Sequence, residues 1–249
     1  GGKDNREFQP GGSWQYGRQR LRDTLLRFEL WEPMIRLAEH SQYLQPDAKV
    51  IPDLEWHRLL AIAKYESGDL AGGKVHLDKI EALLKEETGK RDRAMADAEK
   101  KARDAKKDAK QIDEAKKAAE KNFATAIQDR ENAANEARVY AALNAKPADQ
   151  AKAKELLPKL KNLAKARHAT LWSRAGDAAK AVELATQAVK EGANEVHPLA
   201  SQVAALHAAK KSQEARDAFD KLRTVAGGAD VDLPMLRRLA PIAKELGYP

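Results

Sequence analysis

From Trp14 onward, apolar residues recur at intervals of three and four, and no stretch alternates apolar with polar residues over a strand's length. The pattern predicts helices and no strand. Leu21, Leu25, Leu26 and Phe28 mark a first helix to about Leu30. Pro33 suits the first turn of a second, which carries Met34, Leu37 and Ala38 inward. A loop over 45–51 follows, and Pro52 opens a helix with Leu54, Leu59, Leu60 and Ala63 on its core face. Gly68-Asp69 turns the chain into the next helix. Farther on, a short helix is expected over about 148–157, with Pro158 starting or kinking another that runs to Arg174. Gly176-Asp177 turns into a helix ending near Gly192. Asn194 reads as the cap of the next helix, with Pro198 in its first turn and an end near Lys211. A partner over 212–226 stops at Gly227-Gly228. Asp232, with Pro234 near the first helical position, is expected to cap a terminal helix ending at Gly247. Residues 1–13, with Pro10-Gly11-Gly12, read as a disordered lead-in.

The middle of the chain is different. Between Gly89 and Pro147 there is neither Gly nor Pro, far beyond an ordinary helix length. Stepping by four and three from Ala98 to Tyr140 gives a seam that is apolar at every position except Lys116 and Arg130, which argues for coiled-coil packing. The seam is mostly Ala and has one large aromatic, Phe123. A single straight helix would reach about 85 Å at 1.5 Å per residue. An antiparallel hairpin is the favoured reading, with its tip at Lys106–Asp113, where charge is densest. The unbroken seam keeps the straight helix open as the alternative.

Two stretches share a register. Gly176-Asp177-Ala178-Ala179-Lys180-Ala181 is echoed by Ser212-Gln213-Glu214-Ala215, and Ala181 and Ala215 lie 34 residues apart. Aligning Gly68 with Gly176 brings Gly73 onto Ala181 and Leu77 onto Ala185. Small residues there are expected where two helices cross closely, with larger apolar groups three to four positions away. In period and in these positions, residues 54–87 and 162–229 resemble tetratricopeptide (TPR) repeats. Trp172 and Phe219 fall at two of that family's aromatic positions. The resemblance implies an all-α, TPR-like α-solenoid of antiparallel helix pairs with a long inserted coiled-coil hairpin, closed by a solvating terminal helix. It divides the chain into a lead-in (1–13), N-terminal helical repeats (14–87), a charged arm (88–146) and C-terminal repeats with a capping helix (147–249). It also implies binding of a peptide or protein surface in a concave groove, without catalysis. A second resemblance concerns Asn194–Ala200 and Leu239–Gly247, which look like the helical-repeat portion of large bacterial multidomain proteins that carry a thioredoxin-like redoxin domain. On that reading the chain is a helical accessory region and the chemistry lies outside it.

Composition narrows the classes. Apolar residues make up 43% and aromatics 5%, while charged residues reach 33%. Such a chain, rich in Ala, Leu and charge, reads as helical. The net charge of +7 comes from 45 basic and 38 acidic residues that are mostly interleaved, a pattern that speaks against nucleic acid as partner. The chain has no Cys, so disulfides, thiolate metal sites and thiol chemistry are excluded within it. No apolar run approaches the roughly 18 residues of a membrane span. The expectation is therefore a soluble protein, in either the cytoplasm or the periplasm. The lack of an initiating Met reads as a mature form or a piece of something larger.

Candidate chemistry is sparse. There is no Gly-x-Ser-x-Gly elbow and no His-x-x-x-His pair with an adjacent Glu. Gly72-Gly73-Lys74 lacks the spacing of a phosphate loop and reads as a close helix crossing, and Asp230-Val231-Asp232 is too short for a calcium loop. No cofactor or metal site is expected. His168 and Trp172 share one helix face, which packing between repeats explains better than a ligand does. The segment Lys146–Arg167 carries seven basic residues against Asp149 and Glu155. Within it, Lys154, Lys161 and Lys165 fall on one helical face by spacing. That face is either solvated or a dock for an acidic protein or peptide. The candidate partner-binding set is therefore Lys154, Lys161, Lys165, His168 and Trp172. The function expected is that of a non-enzymatic interaction scaffold, with partner and oligomeric state left open.

Overall fold

A computed structural model describes residues 12–47, 50–228 and 232–248. Most of the expected lead-in, and Asp230 and Val231 of the expected turn, lie outside the described residues. Among those described, the chain is all-helical and contains no strand. The helices are α1 (Ser13–Arg27), α2 (Trp31–His40), α3 (Asp53–Glu66), α4 (Leu70–Asp104), α5 (Ala109–Lys121), α6 (Ala124–Asn144), α7 (Gln150–Leu156), α8 (Lys165–Arg174), α9 (Ala178–Glu191), α10 (Val196–Ala208), α11 (Ser212–Val225), α12 (Pro234–Arg237) and α13 (Ala240–Glu245). A 3₁₀ turn, Leu157–Lys159, follows α7.

One turn device recurs. At Gly68 the backbone is left-handed (φ 84°); Gly68 N–H donates to Tyr65 and Asp69 N–H reaches back to Lys64. The same pair of bonds closes α8 at Gly176 (φ 77°) and α10 at Lys210 (φ 59°). This is the Schellman end, which satisfies two orphan carbonyls and reverses the chain. Asp69 and Asp177 then cap the following helices, accepting from the backbone N–H of Gly72 and Lys180. Lys210 makes the same turn with a Cβ, at the steric cost that glycine avoids. Each turn produces a closely packed antiparallel pair: α3 with α4, α8 with α9, and α10 with α11. At the first crossing, a Cβ on Gly73 would sit 2.6 Å from the Tyr65 ring, so only glycine fits. Ala181 and Ala215 are fully buried at the corresponding positions.

The 90–146 stretch folds back on itself. Ion pairs join Glu99 to Lys116, Glu87 to Arg130 and Glu81 to Arg138. As one number falls the other rises, which is the register of antiparallel helices. The reversal falls at Ala105–Asp108, with Lys106 left-handed (φ 53°). Asp108 then opens α5 in a capping box with Gln111. A straight helix is therefore ruled out. The heptad seam does not run through the tip either, since Ala105 and Ala109 are exposed. A second break at Asn122-Phe123 separates α5 from α6. The free arm is shorter than 88–146, because α6 enters the core from Ile127 onward. Ala133, Ala134, Ala137, Val139 and Tyr140 are buried there with residues of α3, α8 and α9. α5, by contrast, contributes no buried residue.

Three expected helix starts move. No helix runs from Pro158 to Arg174: residues 160–164 are non-helical, Asn162 is left-handed (φ 60°), and α8 begins at Lys165. The cap before α10 is Glu195, not Asn194. The C-terminal segment forms two short helices, α12 and α13, with Leu233 in place of Asp232 at the first cap. A second apolar cluster joins α10 and α11 to these helices. The end of α1 and the turn after it also meet the C-terminal half of the chain, Arg27 pairing with Glu195 and Arg238 with Glu29.

Because the arm beyond the core buries so little, replacing residues 94–121 with a short Gly/Ser turn should leave the body folded. We expect the melting midpoint of the shortened chain to stay within a few degrees of the full chain. Removing 92–134, which takes Ile127, Ala133 and Ala134 as well, should abolish the cooperative transition. Circular dichroism melts of the two deletions distinguish the outcomes.

Candidate functional site

The N-termini of α3, α8 and α10 open onto one cleft of about 830 Å³. Pro52, Leu54 and Glu55 line it from α3, Ala164–Arg167 from α8, and Glu195, His197 and Pro198 from α10. The cleft follows from the turn device. Chain reversals set the first helices of the pairs in the same direction, so their starts share an edge. The C-terminal half of α1 (Asp23, Leu26, Arg27) and the end of α9 (Ala188, Glu191, Gly192) form the other walls. α6 supplies the floor, with Asp129, Asn132, Ala133 and Glu136. None of α3, α8 and α10 has a side-chain N-cap hydrogen bond.

A largely buried charge network forms part of the cleft wall and floor. Arg58 of α3 donates to Glu136 of α6 at 2.6 Å and to both carboxylate oxygens of Glu55 at 2.7 Å. Arg167 of α8 donates to the Tyr140 hydroxyl at 2.7 Å, and its Nη2 lies 2.9 Å from Glu136. Glu136 and Arg167 are 3% and 5% exposed, so water screens little of this. Burial alone would raise the Glu136 pKa. The two guanidinium groups more than reverse that, and the carboxyl stays below its ordinary range. Burial likewise opposes the charge on Arg167, and Tyr140 and Glu136 restore it. Burial pushes the Tyr140 hydroxyl well above its usual value. The Arg167–Glu136 approach lies off the hydrogen-bonding direction, so Arg167 Nη2 and Glu136 Oε1 lack a hydrogen-bond partner. His197 Nε2, in a side chain 8% exposed, lacks one too. Burial holds that imidazole neutral.

The lysines expected on one face do not share one, because the helix is broken at 160–164. Lys154 sits on α7 and donates to the Gly176 carbonyl at 3.3 Å, outside the cleft. Lys161 lies at the cleft rim in the non-helical segment; its backbone N–H donates to Asn132, while no ion pair engages its ammonium. Lys165 opens α8, lines the cleft and pairs with Glu191. His168 and Trp172 are stacked, with centroids 6.2 Å apart, and Trp172 Nε1 donates to His168 Nε2 at 3.1 Å. Trp172 is buried in the main core and neither residue lines the cleft. The sequence reading missed Arg58, Glu136 and Tyr140 as a unit. It counted Arg167 only among the basic residues of Lys146–Arg167 and did not single out His197 as a site residue. No sequence signal marked Arg167, because its place in the first turn of a helix depends on the break at 160–164 that the sequence pattern did not show.

A second cluster sits where α3 meets α4. The Nδ1 atoms of His57 and His76 are 2.8 Å apart, a distance that requires one shared proton. Trp56 stands edge-on to both rings, at 5.0 and 5.4 Å. Burial and the neighbouring His57 press the His76 pKa down to about 4, and burial lowers that of His57. Asp53, Glu39 and Asp69 oppose these shifts, while Lys64 and Lys79 reinforce them. Among the described residues, no group of three or more His, Cys, Asp or Glu side chains is placed to hold a metal ion.

Comparisons with protein-family models, with curated proteins and with solved structures find no match to this chain.

Two predictions follow from these clusters. Glu136→Ala leaves two guanidinium groups buried without their shared counter-charge and should cost about 3–5 kcal/mol in urea unfolding. Glu131→Ala, at an exposed position on the same helix, should change stability by less than about 0.5 kcal/mol. For the histidine pair, the unfolded chain takes up a proton near pH 6.5, whereas folded His76 does so only near 4. Between those values the unfolded state holds more protons, so stability should fall as pH drops from 6.5 to 4. His76→Gln should flatten that part of the stability profile, and an unchanged slope would show that the pair does not carry it.

Proposed function

We propose that the chain is a non-catalytic, TPR-like scaffold that binds an extended protein segment in the cleft where α3, α8 and α10 begin. The cleft itself carries the reading. Its volume suits a short segment of side chains, and Leu26, Leu54, Leu163 and Pro198 give it apolar walls. Its polar groups include backbone N–H groups at uncapped helix starts, which peptides can use. The 34-residue spacing of Ala181 and Ala215 supports the repeat reading. The arm is proposed as a second surface that projects from the body and sets where a bound partner lies. In this reading an acidic partner is favoured by Lys161, not by Lys154.

Peptides selected on the intact chain from a random display library provide the test. Bound peptide should slow hydrogen exchange over 129–136 and 161–167. Lys161→Glu should weaken binding about tenfold and leave the melting midpoint unchanged. Selected peptides that protect only the arm, or affinities no better than millimolar, would overturn the proposal.

A further inference from the structure

We propose that the tip of the arm is a docking surface for an anionic lipid membrane, which it meets end-on through a cap of lysines. This rests on the reading of the arm as a projecting second surface and does not depend on the cleft. Residues 100–110 hold six basic side chains, Lys100, Lys101, Arg103, Lys106, Lys107 and Lys110, against Asp104 and Asp108. The net of +4 is more than half of the chain's +7. The shaft of the arm handles charge differently. There Lys90 pairs with Glu86, Lys116 with Glu99, Lys117 with Asp113 and Arg130 with Glu87. At the tip Arg103 pairs with Glu99, but among the described residues the five lysines engage no carboxylate. All five are exposed. Asp108 is committed to the start of α5, where it accepts from the backbone N–H of Gln111. Helix dipoles do not account for the cluster. Lys100 and Lys101 suit the end of α4, but Lys110 stands in the first turn of α5, where a cation is disfavoured.

The placement of the charge decides the kind of surface it fits. The lysines are spread over the end of α4, the reversal and the first turn of α5, so they cap the end of the hairpin and do not line one side. α4 carries that end about 36 Å beyond Ile80, at a rise of ~1.5 Å per residue. The exposed apolar residues of the tip are Ala105 and Ala109, too small to insert among acyl chains, so contact stays at the headgroups. The composition favours lipid over nucleic acid. No aromatic ring lies in 100–110 to stack on a base, and the one guanidinium is committed to Glu99. Ammonium groups on flexible stems suit a fluid layer whose anionic headgroups gather around them without a fixed geometry. Each lysine held near such a surface contributes about fivefold in affinity. The attraction fades within a Debye length, roughly 10 Å at moderate salt.

The test is co-sedimentation of the full chain with vesicles, of phosphatidylcholine alone and of phosphatidylcholine mixed equally with phosphatidylserine. The chain should sediment with the mixed vesicles only, and added salt should release it. Lys107→Gln with Lys110→Gln should weaken that binding about 25-fold. Both positions are exposed and neither has a left-handed backbone, so the melting midpoint should not change. Removing the same charge from exposed positions of the body, as Lys190→Gln with Lys221→Gln, should change binding by less than about twofold. No sedimentation with the mixed vesicles, or equal binding to both kinds of vesicle, would overturn the proposal. So would undiminished binding by the tip variant, or equal losses in the two double variants, since net charge and not the tip would then be responsible. Duplex DNA or polyglutamate bound as tightly, with the same loss in the tip variant, would overturn the assignment to lipid. The tip variant should still bind peptides selected on the cleft, so failure here leaves the peptide-binding cleft standing.

Discussion

The body depends on a single buried carboxylate. Glu136 takes charge from Arg58 on one side and Arg167 on the other, and so joins α3, α6 and α8 at one point. Elsewhere neighbouring helices meet through small residues, as at Gly73 against Tyr65. Between α6 and α8 they do not. The non-helical segment 160–164 intervenes, and the space is filled by long side chains instead of close backbones. Burying three charges is expensive, and the desolvation is offset only because each is paired. The network is therefore less a source of stability than a fixed geometry. It commits α8 to a definite place above the return helix of the arm.

That placement creates the cleft. With α8 held by Arg167 at its first turn, the starts of α3, α8 and α10 come to one edge, and α1 closes the opposite wall through Arg27 and Glu195. The arm contributes in a different way. Its α4 half continues a helix already required by the first pair, and its α6 half supplies Glu136, Tyr140 and the Ala133–Ala137 stretch to the core. Only the distal part is free of structural duty.

Much of the fold was legible in local signals. The turns at Gly68 and Gly176 declared themselves through Gly-Asp, and the equivalent turn at Lys210 through its 34-residue offset from Gly176. Charge density placed the reversal at 106–113, and it falls at 105–108, although the seam continued across it, because Ala is a weak marker of burial. What local signals could not show was which charges are inside. Glu136 looks like any other charge in a polar helix, and its burial is decided by Arg58 and Arg167, 78 and 31 residues away. Lys154, Lys161 and Lys165 were grouped by helical spacing across a segment, 160–164, that is not helical and in which Asn162 is left-handed. Their separation is tertiary, set by the docking of Asn132 against the backbone of Lys161.

If Glu136 welds α3, α6 and α8 into one unit, those helices must open together. Native-state hydrogen exchange read across increasing denaturant is the most direct measurement. The account predicts that the slowest amides of α3, the core part of α6 and α8 merge onto one opening free energy, with α5 and the distal part of α4 far below it. If α8 to α11 instead exchange as a separate unit, at an energy distinct from α3 and α6, the buried carboxylate does not organise the body.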